Sequence, residues 1–249
     1  GPRTATVVRQ RMSAPVEPAT AAPGDDAVAA PCENTPRVVL FDFDGVLIHG
    51  DSFALFVRSR YAGSAWRKGV ALLASPLLLL TWPLSRRLPL YLLVRIALLG
   101  LREPRYRVAA DAFAGVLARR PKQFCREGLS RLRRHQAQGD RVIVVTGCEE
   151  TLATGILREL GLAGVEVVAS QLRPGWLGLR PRRHNVGRRK VQSLAEHGVA
   201  AWHVAYGDSM HDVAMLRQAT EAVLVNGTPK LCKKVEKALG RTLTRVEWL

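Results

Sequence analysis

The chain is poor in cysteine and in aromatic residues, and each scarcity argues against a class of protein. Its 249 residues include four cysteines, which are scattered and form no CxxC pair. The sequence therefore argues against a disulfide framework or a zinc site and fits a reducing compartment. Aromatic residues make up 6% of the chain and do not alternate with basic residues. This composition argues against a nucleic-acid-binding surface that stacks bases.

Hydrophobic runs long enough to cross a membrane are also missing. The segment 69–84 has 16 residues without a charge, whereas an α-helix needs roughly 20 apolar residues to span a bilayer. Pro76 and Pro83 are expected to interrupt it, and the second apolar segment, 88–101, contains Arg95. Basic residues flank both segments, at Arg67, Lys68, Arg86, Arg87 and Arg102. The pair is typical of an interfacial or shallowly inserted helical hairpin, with a buried helical core as the alternative.

Acidic residues are few compared with basic ones. The chain has 37 Lys and Arg against 21 Asp and Glu, a formal net charge of +16. Residues 1–36 are rich in Ala and Pro, lack hydrophobic periodicity and are nearly neutral, which predicts a disordered leader. The positive charge therefore belongs to the folded part, and it suggests an anionic partner such as a phosphorylated substrate, a lipid headgroup or nucleic acid.

Apolar runs and helical patterns alternate along the rest of the chain. Strands are predicted at 38–41, at 142–145, at 165–170, after Ala201, and at 222–227, the last at an edge of the sheet. Helices are predicted at 150–160, 188–197, 212–219 and 229–239. This alternation predicts an α/β fold with a doubly wound parallel sheet.

The first and second predicted strands are separated by about a hundred residues, far more than the dozen or so that a crossover requires. This interval predicts a helical cap inserted over the carboxyl ends of the strands. The expected domains are therefore a catalytic core, 37–50 and 138–249, and an apolar, basic cap, 51–137.

Four aspartates follow predicted strands. Asp42 and Asp44 are two positions apart, so strand geometry places them on one side at the end of a buried strand. Asp208 follows another strand, and Asp212 comes four residues later. Four carboxylates in one pocket repel one another unless a hard divalent cation compensates. The sequence therefore predicts a Mg²⁺ site.

Three further residues predict a phosphate-binding site. Thr146 offers a hydroxyl, and Gly147 allows a backbone N–H to approach an anion just before a helix begins. Lys190 begins another predicted helix and supplies a point charge for a phosphoryl oxygen.

Taken together, these residues resemble the four motifs of haloacid dehalogenase-type phosphatases, in the order of that family. The resemblance covers roughly residues 37–230. The matching residues are Asp42-Phe43-Asp44-Gly45-Val46, Thr146, Lys190 and Gly207-Asp208-Ser209-x-x-Asp212.

The resemblance implies a role for each acidic residue. It implies that Asp42 is a nucleophile that forms an aspartyl-phosphate, and that Asp44 is the general acid and then the general base. Mg²⁺ is expected to be bound by Asp42, the backbone carbonyl of Asp44, and Asp208. Asp212 is expected to support the metal site or to orient Lys190.

The two remaining motif residues, Thr146 and Lys190, are expected to bind the transferred phosphoryl group. The position of the insert resembles that of the phosphoserine-phosphatase-like branch, called subfamily IB. The Leu/Pro-rich cap and the segment "VVASQLRPGWLG", 167–178, resemble bacterial phosphatidylglycerophosphatase C more closely. That family often has Gly-x-Glu-Lys at the third motif, where this chain has Arg189 before Lys190.

This resemblance implies a lipid phosphate as substrate, such as phosphatidylglycerophosphate. The enzyme is then expected in the cytoplasm, peripheral to or shallowly inserted in the inner membrane. Basic residues that follow the segment 167–178 are expected to attract anionic headgroups. They are Arg180, Arg182, Arg183, Arg188 and Arg189. The alternatives are a soluble phosphatase for phosphoserine or sugar phosphates and, with less support, a non-catalytic nucleic-acid-binding protein.

Overall fold

The computed structural model describes residues 35–248, so most of the predicted leader, 1–36, lies outside the described residues. Seven strands of the described part form one sheet, in the order β4-β3-β2-β1-β5-β6-β7. The strands are β1 (Val38–Phe41), β2 (Arg141–Glu149), β3 (Glu166–Arg173), β4 (Arg180–Arg183), β5 (Trp202–Gly207), β6 (Ala219–Val225) and β7 (Thr244–Val246). All neighbouring strands are parallel except β3 and β4, which are antiparallel.

Helices connect the strands and cover the sheet. They are α1 (Ser52–Ala62), α2 (Ala65–Thr81), α3 (Arg87–Ala97), α4 (Glu103–Ala118), α5 (Arg126–Ala137), α6 (Glu150–Glu159), α7 (Arg188–Glu196), α8 (Val213–Gln218) and α9 (Pro229–Leu239). A 3₁₀ turn, Met210–Asp212, precedes α8. Two hydrophobic cores pack on opposite faces of the sheet: along β1, Val39 and Phe41 belong to one core and Leu40 to the other, as strand geometry requires. The predicted doubly wound α/β fold with a helical insert is confirmed.

Both ends of the sheet differ from the prediction. The segment 222–227 is not an edge strand, because β7 pairs with β6 through Val225 and Val246. β4 forms the opposite edge, where Leu172 of β3 pairs with Pro181, in agreement with the restriction of proline to edge strands. Neither edge strand carries the apolar pattern that predicts a strand, since β4 reads Arg-Pro-Arg-Arg and β7 has three residues.

The insert between β1 and β2 enters and leaves the core at one place, which we call the neck. The N–H of His49 donates to the carbonyl of Gln123 (2.8 Å), and the N–H of Cys125 donates to the carbonyl of Leu47 (3.0 Å). These bonds hold the outgoing and returning segments side by side. Beyond the neck, α4 packs against α6, and α5 packs against β2. The boundaries 51–137 for the cap remain a prediction.

Helices α2 and α3 form the cap hairpin. The guanidinium of Arg67, at the start of α2, donates to the carbonyls of Ala97 (3.2 Å) and Leu99 (3.3 Å), at the end of α3. The two helices are therefore antiparallel. Within residues 35–248 no helix combines the length and the apolar composition that crossing a bilayer requires.

The expected interruption at Pro76 is wrong, because α2 continues through this residue to Thr81. A proline has no N–H to donate to the carbonyl four residues earlier, which here is that of Leu72. The hydroxyl of Ser75 donates to this carbonyl instead (2.6 Å). A side chain thus satisfies the acceptor that the proline leaves open.

Candidate active site

Three adjacent parallel strands deliver the candidate residues to one edge of the sheet. β1 ends at Phe41 and is followed by Asp42, while β5 ends at Gly207 and is followed by Asp208. These two strands are neighbours, with Phe41 paired to Tyr206. β2, on the other side of β1, carries Thr146 near its end. The carboxyl edge of the central strands is therefore where the sequence motifs meet.

Lys190, on the first turn of α7, lies between two of the aspartates. Its ammonium nitrogen is 2.9 Å from Oδ1 of Asp42 and 2.7 Å from Oδ1 of Asp212. All three residues are buried. The other carboxylate oxygen of Asp212 accepts the N–H of Asp208 (3.0 Å). One lysine thus links two strand ends and fixes the side chain of Asp212.

The acidic residues of the site are suitable ligands for a hard divalent cation. Asp42, Asp208 and Asp212 each offer a carboxylate oxygen, and these oxygens lie within 4.8 Å of one another. Gly45 leaves room for them: its φ is +81°, and a Cβ atom there would lie 1.9 Å from Oδ2 of Asp208. The donor set is all oxygen, which is the type that Mg²⁺ prefers.

The charges of the pocket are not balanced by Lys190 alone. Burial raises the pKa of Asp42 well above its usual value, and the charge of Asp212 raises it further, against the opposing effect of Lys190. Burial and the charge of Asp212 also raise the pKa of Asp208 to about 6. Asp42 and Asp208 thus favour protonation, which is the expected response of buried carboxyl groups that lie next to another carboxylate.

Asp212 and Lys190 behave as an ion pair. Burial alone would raise the pKa of Asp212, but the charge and the hydrogen bond of Lys190 hold this pKa below its usual value. Burial would lower the pKa of Lys190, but the charges of Asp212 and Asp42 raise it instead. The lysine is therefore positively charged at neutral pH, as binding of a phosphoryl oxygen requires.

Asp44 has a separate environment from the acidic cluster. Its Oδ1 accepts the hydroxyl of Ser52 (2.7 Å) and the N–H of the same residue (3.1 Å). Burial raises the pKa of Asp44 to about 6, although both hydrogen bonds act to lower it. Asp51 and Ser52 are both of residue types that cap helices; in the structure Asp51 is the cap of α1 and accepts the N–H of Ala54 (2.9 Å).

The candidate phosphate loop is held by buried hydrogen bonds. Oγ1 of Thr146 accepts the N–H of Cys148 (2.9 Å). The side-chain amide of Asn185 donates to the carbonyls of Thr146 (3.1 Å) and Val168 (3.0 Å). The sequence analysis missed Asn185, because a single asparagine in a loop gives no pattern. It ties the segment before α7 to the loop that carries Thr146 and Gly147.

The sequence analysis also missed a buried contact between the cap side and this loop. The hydroxyl of Tyr106, on α4, donates to Oε2 of Glu149. The same carboxylate accepts the N–H groups of Thr151 (2.9 Å) and Leu152 (3.0 Å) and so caps α6. Because 43 positions separate the two residues, no local signal in the sequence relates them.

The structure thus brings together most of the residues proposed from the sequence. Asp42, Asp212 and Lys190 form one buried cluster, and the partly buried Asp208 lies beside it. The third carboxylate of the candidate metal site, beside those of Asp42 and Asp208, belongs to Asp212. The sequence analysis expected Asp212 to support the metal site or to orient Lys190, not to bind the metal directly. The metal-binding role of the Asp44 backbone carbonyl and the phosphate-binding roles of Thr146, Gly147 and Lys190 remain predictions.

Comparisons with known proteins agree with this geometry. The family model of haloacid dehalogenase-like hydrolases matches residues 39–217. Protein CicA of Caulobacter vibrioides is 28% identical over 190 residues, covering 75% of this chain and 84% of CicA. A solved protein of unknown function from Bordetella pertussis Tohama I has a TM-score of 0.63 at 21% identity, covering 84% of this chain and 99% of that one. A substrate-bound phosphoserine phosphatase has a TM-score of 0.52 at 16% identity, covering 86% and 94%.

The fold and the carboxylate–lysine cluster define a hydrolase with an acidic catalytic pocket. The chain belongs to the haloacid dehalogenase-like hydrolase family. The family match confirms the predicted enzyme type at the level of a hydrolase of the haloacid dehalogenase type. The two solved structures are similar in fold, and at these identities they carry no information on the substrate.

Proposed function

We propose that the protein is a Mg²⁺-dependent phosphomonoester hydrolase that works through an aspartyl-phosphate on Asp42. The observation that carries this proposal is the cluster of carboxylates of Asp42, Asp208 and Asp212, in which Lys190 is paired with Asp42 and Asp212. When bound, Mg²⁺ neutralises the charge of the phosphoryl group. Asp42, Asp208 and Asp212 are the side chains that would bind it.

The protein residues then have separate tasks. Asp42 attacks phosphorus, and Lys190 holds a phosphoryl oxygen with its positive charge. Asp44, whose pKa of about 6 allows both protonation states near neutral pH, donates a proton to the leaving alkoxide. The same carboxylate then accepts a proton from the water that hydrolyses the aspartyl-phosphate.

The test is phosphate release by the wild-type protein and by Asp42→Asn. We expect the wild type to depend on Mg²⁺ and to form an acid-labile phosphoenzyme. The variant is expected to lose both turnover and phosphoenzyme, because an amide is not a nucleophile. Undiminished turnover by Asp42→Asn would exclude Asp42 as the nucleophile.

We further propose that the substrate is a lipid phosphate, such as phosphatidylglycerophosphate, reached at a membrane surface. The cap hairpin supports this because many of its apolar side chains are exposed rather than packed into a core. Its exposed residues are Trp66, Leu72, Leu73, Leu77, Leu79, Leu80, Trp82, Leu84, Leu88, Leu90 and Tyr91. An exposed apolar surface of this extent is typical of an interaction site rather than of a free surface.

Charge around the hairpin favours a membrane as the partner. Lys68, Arg86 and Arg87 are exposed at its two ends, and cations next to an apolar face attract anionic lipid. Activity on phosphatidylglycerophosphate in mixed micelles, compared with phosphoserine and sugar phosphates, tests the substrate. Preference for a soluble phosphate would instead favour the soluble phosphatase that the sequence analysis left as an alternative.

A further inference from the structure

The loop between β3 and β4, residues 174–179, exposes two large apolar side chains. Trp176 is 85% exposed and Leu177 is 56% exposed. Because β3 is parallel to β2, the loop leaves the sheet at the edge where β2 carries Thr146. The catalytic core therefore has an exposed apolar loop of its own, on the side of the active site.

This loop is joined by hydrogen bonds to the base of the cap hairpin, the end at which α2 begins and α3 ends. The guanidinium of Arg95, on α3, donates to the carbonyls of Trp176 (3.0 Å) and Leu179 (3.0 Å). Just beyond α3, the N–H of Gly100 donates to the carbonyl of Leu177 (3.1 Å). The charge that interrupts the second apolar segment of the sequence thus fixes the loop beside the hairpin.

The backbone of the loop is strained at one of its exposed apolar residues. Leu177 has a φ of +67°, in the left-handed region that glycine adopts readily and a bulky side chain rarely does. Packing does not explain a leucine here, because more than half of it is exposed. Backbone strain of this kind is concentrated at functional sites, and it suggests that the side chain binds a partner.

The charge at the base of the loop indicates which partner. Arg173 of β3 and Arg180 of β4 are directly opposite each other, an arrangement in which like charges repel. Within residues 35–248 neither arginine has an acidic side chain within salt-bridge distance, and the segment 173–180 contains no acidic residue. The loop is therefore an apolar tip on a cationic base, which fits an anionic lipid surface better than an apolar protein surface.

We propose that the β3–β4 loop is a second membrane contact, separate from the cap hairpin. Trp176 and Leu177 enter the interfacial region of an anionic bilayer, where tryptophan is favoured. The two arginines at the base of the loop bind lipid headgroups. The inference rests on the membrane docking proposed above and extends it to the catalytic core. Because Arg95 holds the loop against the hairpin, the two contacts together fix which side of the enzyme faces the bilayer.

The first test compares sedimentation of the full-length wild type and loop variants with liposomes of phosphatidylcholine and phosphatidylglycerol. Trp176→Gln is expected to lower the partition coefficient by about tenfold, and Leu177→Gly by about fivefold, in proportion to the apolar area that each side chain still has to bury. Leu177→Gly should keep the melting temperature of the wild type, because glycine adopts the left-handed backbone without strain. A loss of binding by this variant is therefore not a loss of folding.

Two further variants test the specificity of the effect. Arg173→Gln should lower binding by about fivefold on liposomes that contain phosphatidylglycerol and should have little effect on phosphatidylcholine alone. Val116→Gln is the matched control, since Val116 is 54% exposed but lies in the last turn of α4, away from the loop. It should bind as the wild type does, and an equal loss from Val116→Gln and Leu177→Gly would contradict a specific contact through the loop.

Fluorescence tests the position of the loop directly. In a variant with Trp66 and Trp82 changed to phenylalanine, Trp176 is the exposed tryptophan of residues 35–248, because Trp202 and Trp248 are buried. Phenylalanine keeps the hairpin apolar, so the variant still binds liposomes. We expect its emission to shift to shorter wavelength on binding and to be quenched by brominated lipid. Bound protein whose emission neither shifts nor is quenched would overturn the inference.

The outcomes distinguish this inference from the proposals on which it rests. No liposome binding by the wild type contradicts membrane docking as a whole. Binding that the loop variants retain, while Leu73→Gln with Leu80→Gln loses it, contradicts the inference alone. A wild-type dimer that Trp176→Gln dissociates in the absence of lipid would identify a second copy of the chain as the partner of the loop and overturn the choice of lipid. None of these measurements depends on turnover, so they are independent of the phosphatase proposal.

Discussion

Replacing two exposed leucines of the cap hairpin tests whether this surface binds a membrane. Leu73 and Leu80, both on α2, are 83% and 71% exposed. We expect Leu73→Gln with Leu80→Gln to weaken binding to liposomes without affecting the fold. Glutamine is suitable because its helix propensity is close to that of leucine, and the leucines leave no cavity when they are replaced.

The expected magnitude follows from the exposed area. Full burial of a leucine side chain contributes about 2 kcal/mol, so a side chain that is roughly three-quarters exposed has about 1.5 kcal/mol still to gain. The pair therefore accounts for about 3 kcal/mol, or about a 100-fold change in the partition coefficient. Lipid that covers the leucines only in part would reduce the loss in proportion.

The assay is sedimentation with liposomes of phosphatidylcholine, with and without phosphatidylglycerol. The control is the pair Val108→Gln with Val116→Gln on α4, whose side chains are 72% and 54% exposed but lie outside the hairpin. Added salt is expected to weaken wild-type binding only in part, because screening affects the attraction to phosphatidylglycerol but not the apolar contact. Equal binding by the wild type and the folded Leu73 and Leu80 variant would refute membrane docking through this face.

Three further predictions concern the core. Asp208→Asn is expected to raise the Mg²⁺ concentration required for half-maximal activity far more than Glu150→Gln, which removes an exposed charge on the same sheet edge; equal shifts would count against the metal site. Ser52→Ala removes a hydrogen bond that stabilises the carboxylate of Asp44, so the pKa of Asp44 should rise above about 6. The alkaline limb of the pH–rate profile should then move to higher pH, and an unmoved limb would exclude Asp44 as the general acid. Tyr106→Phe removes the hydroxyl that donates to the carboxylate of Glu149, the cap of α6. The free energy of unfolding, measured by urea denaturation, should fall by about 1–3 kcal/mol. An unchanged value would show that this hydrogen bond is not formed.

The fold and the acidic cluster were predictable because their signals are local. The two central strands β1 and β5 are largely apolar, and Asp42 and Asp208 follow them directly. Because parallel strands end at a common edge, Asp42 and Asp208 were expected to meet although 166 positions separate them. The resemblance to the haloacid dehalogenase family depended on the same residues, and the family match confirms it.

Other features could not be predicted because the sequence leaves open which hydrogen bonds a side chain makes. Ser52 has two possible partners in sequence, and only the structure shows that it binds Asp44 while Asp51 caps α1. Likewise, Pro76 disrupts a helix in isolation, yet α2 continues past it because Ser75 replaces the missing donor. The first outcome depends on where the fold places Asp44, and the second on a hydroxyl hydrogen bond that the sequence leaves open.

The neck has a consequence for how the cap can vary. Hydrogen bonds between His49 and Gln123 and between Leu47 and Cys125 hold the two ends of the insert together. The insert therefore acts as a closed loop that starts and ends at one place on the catalytic core. The entropy of closing a flexible loop grows only with the logarithm of its length, by about 0.6 kcal/mol for each doubling. As far as chain closure is concerned, the length of the cap hairpin can therefore change at little cost while the strands and their aspartates keep their positions. A single catalytic core can in this way carry caps of very different sizes.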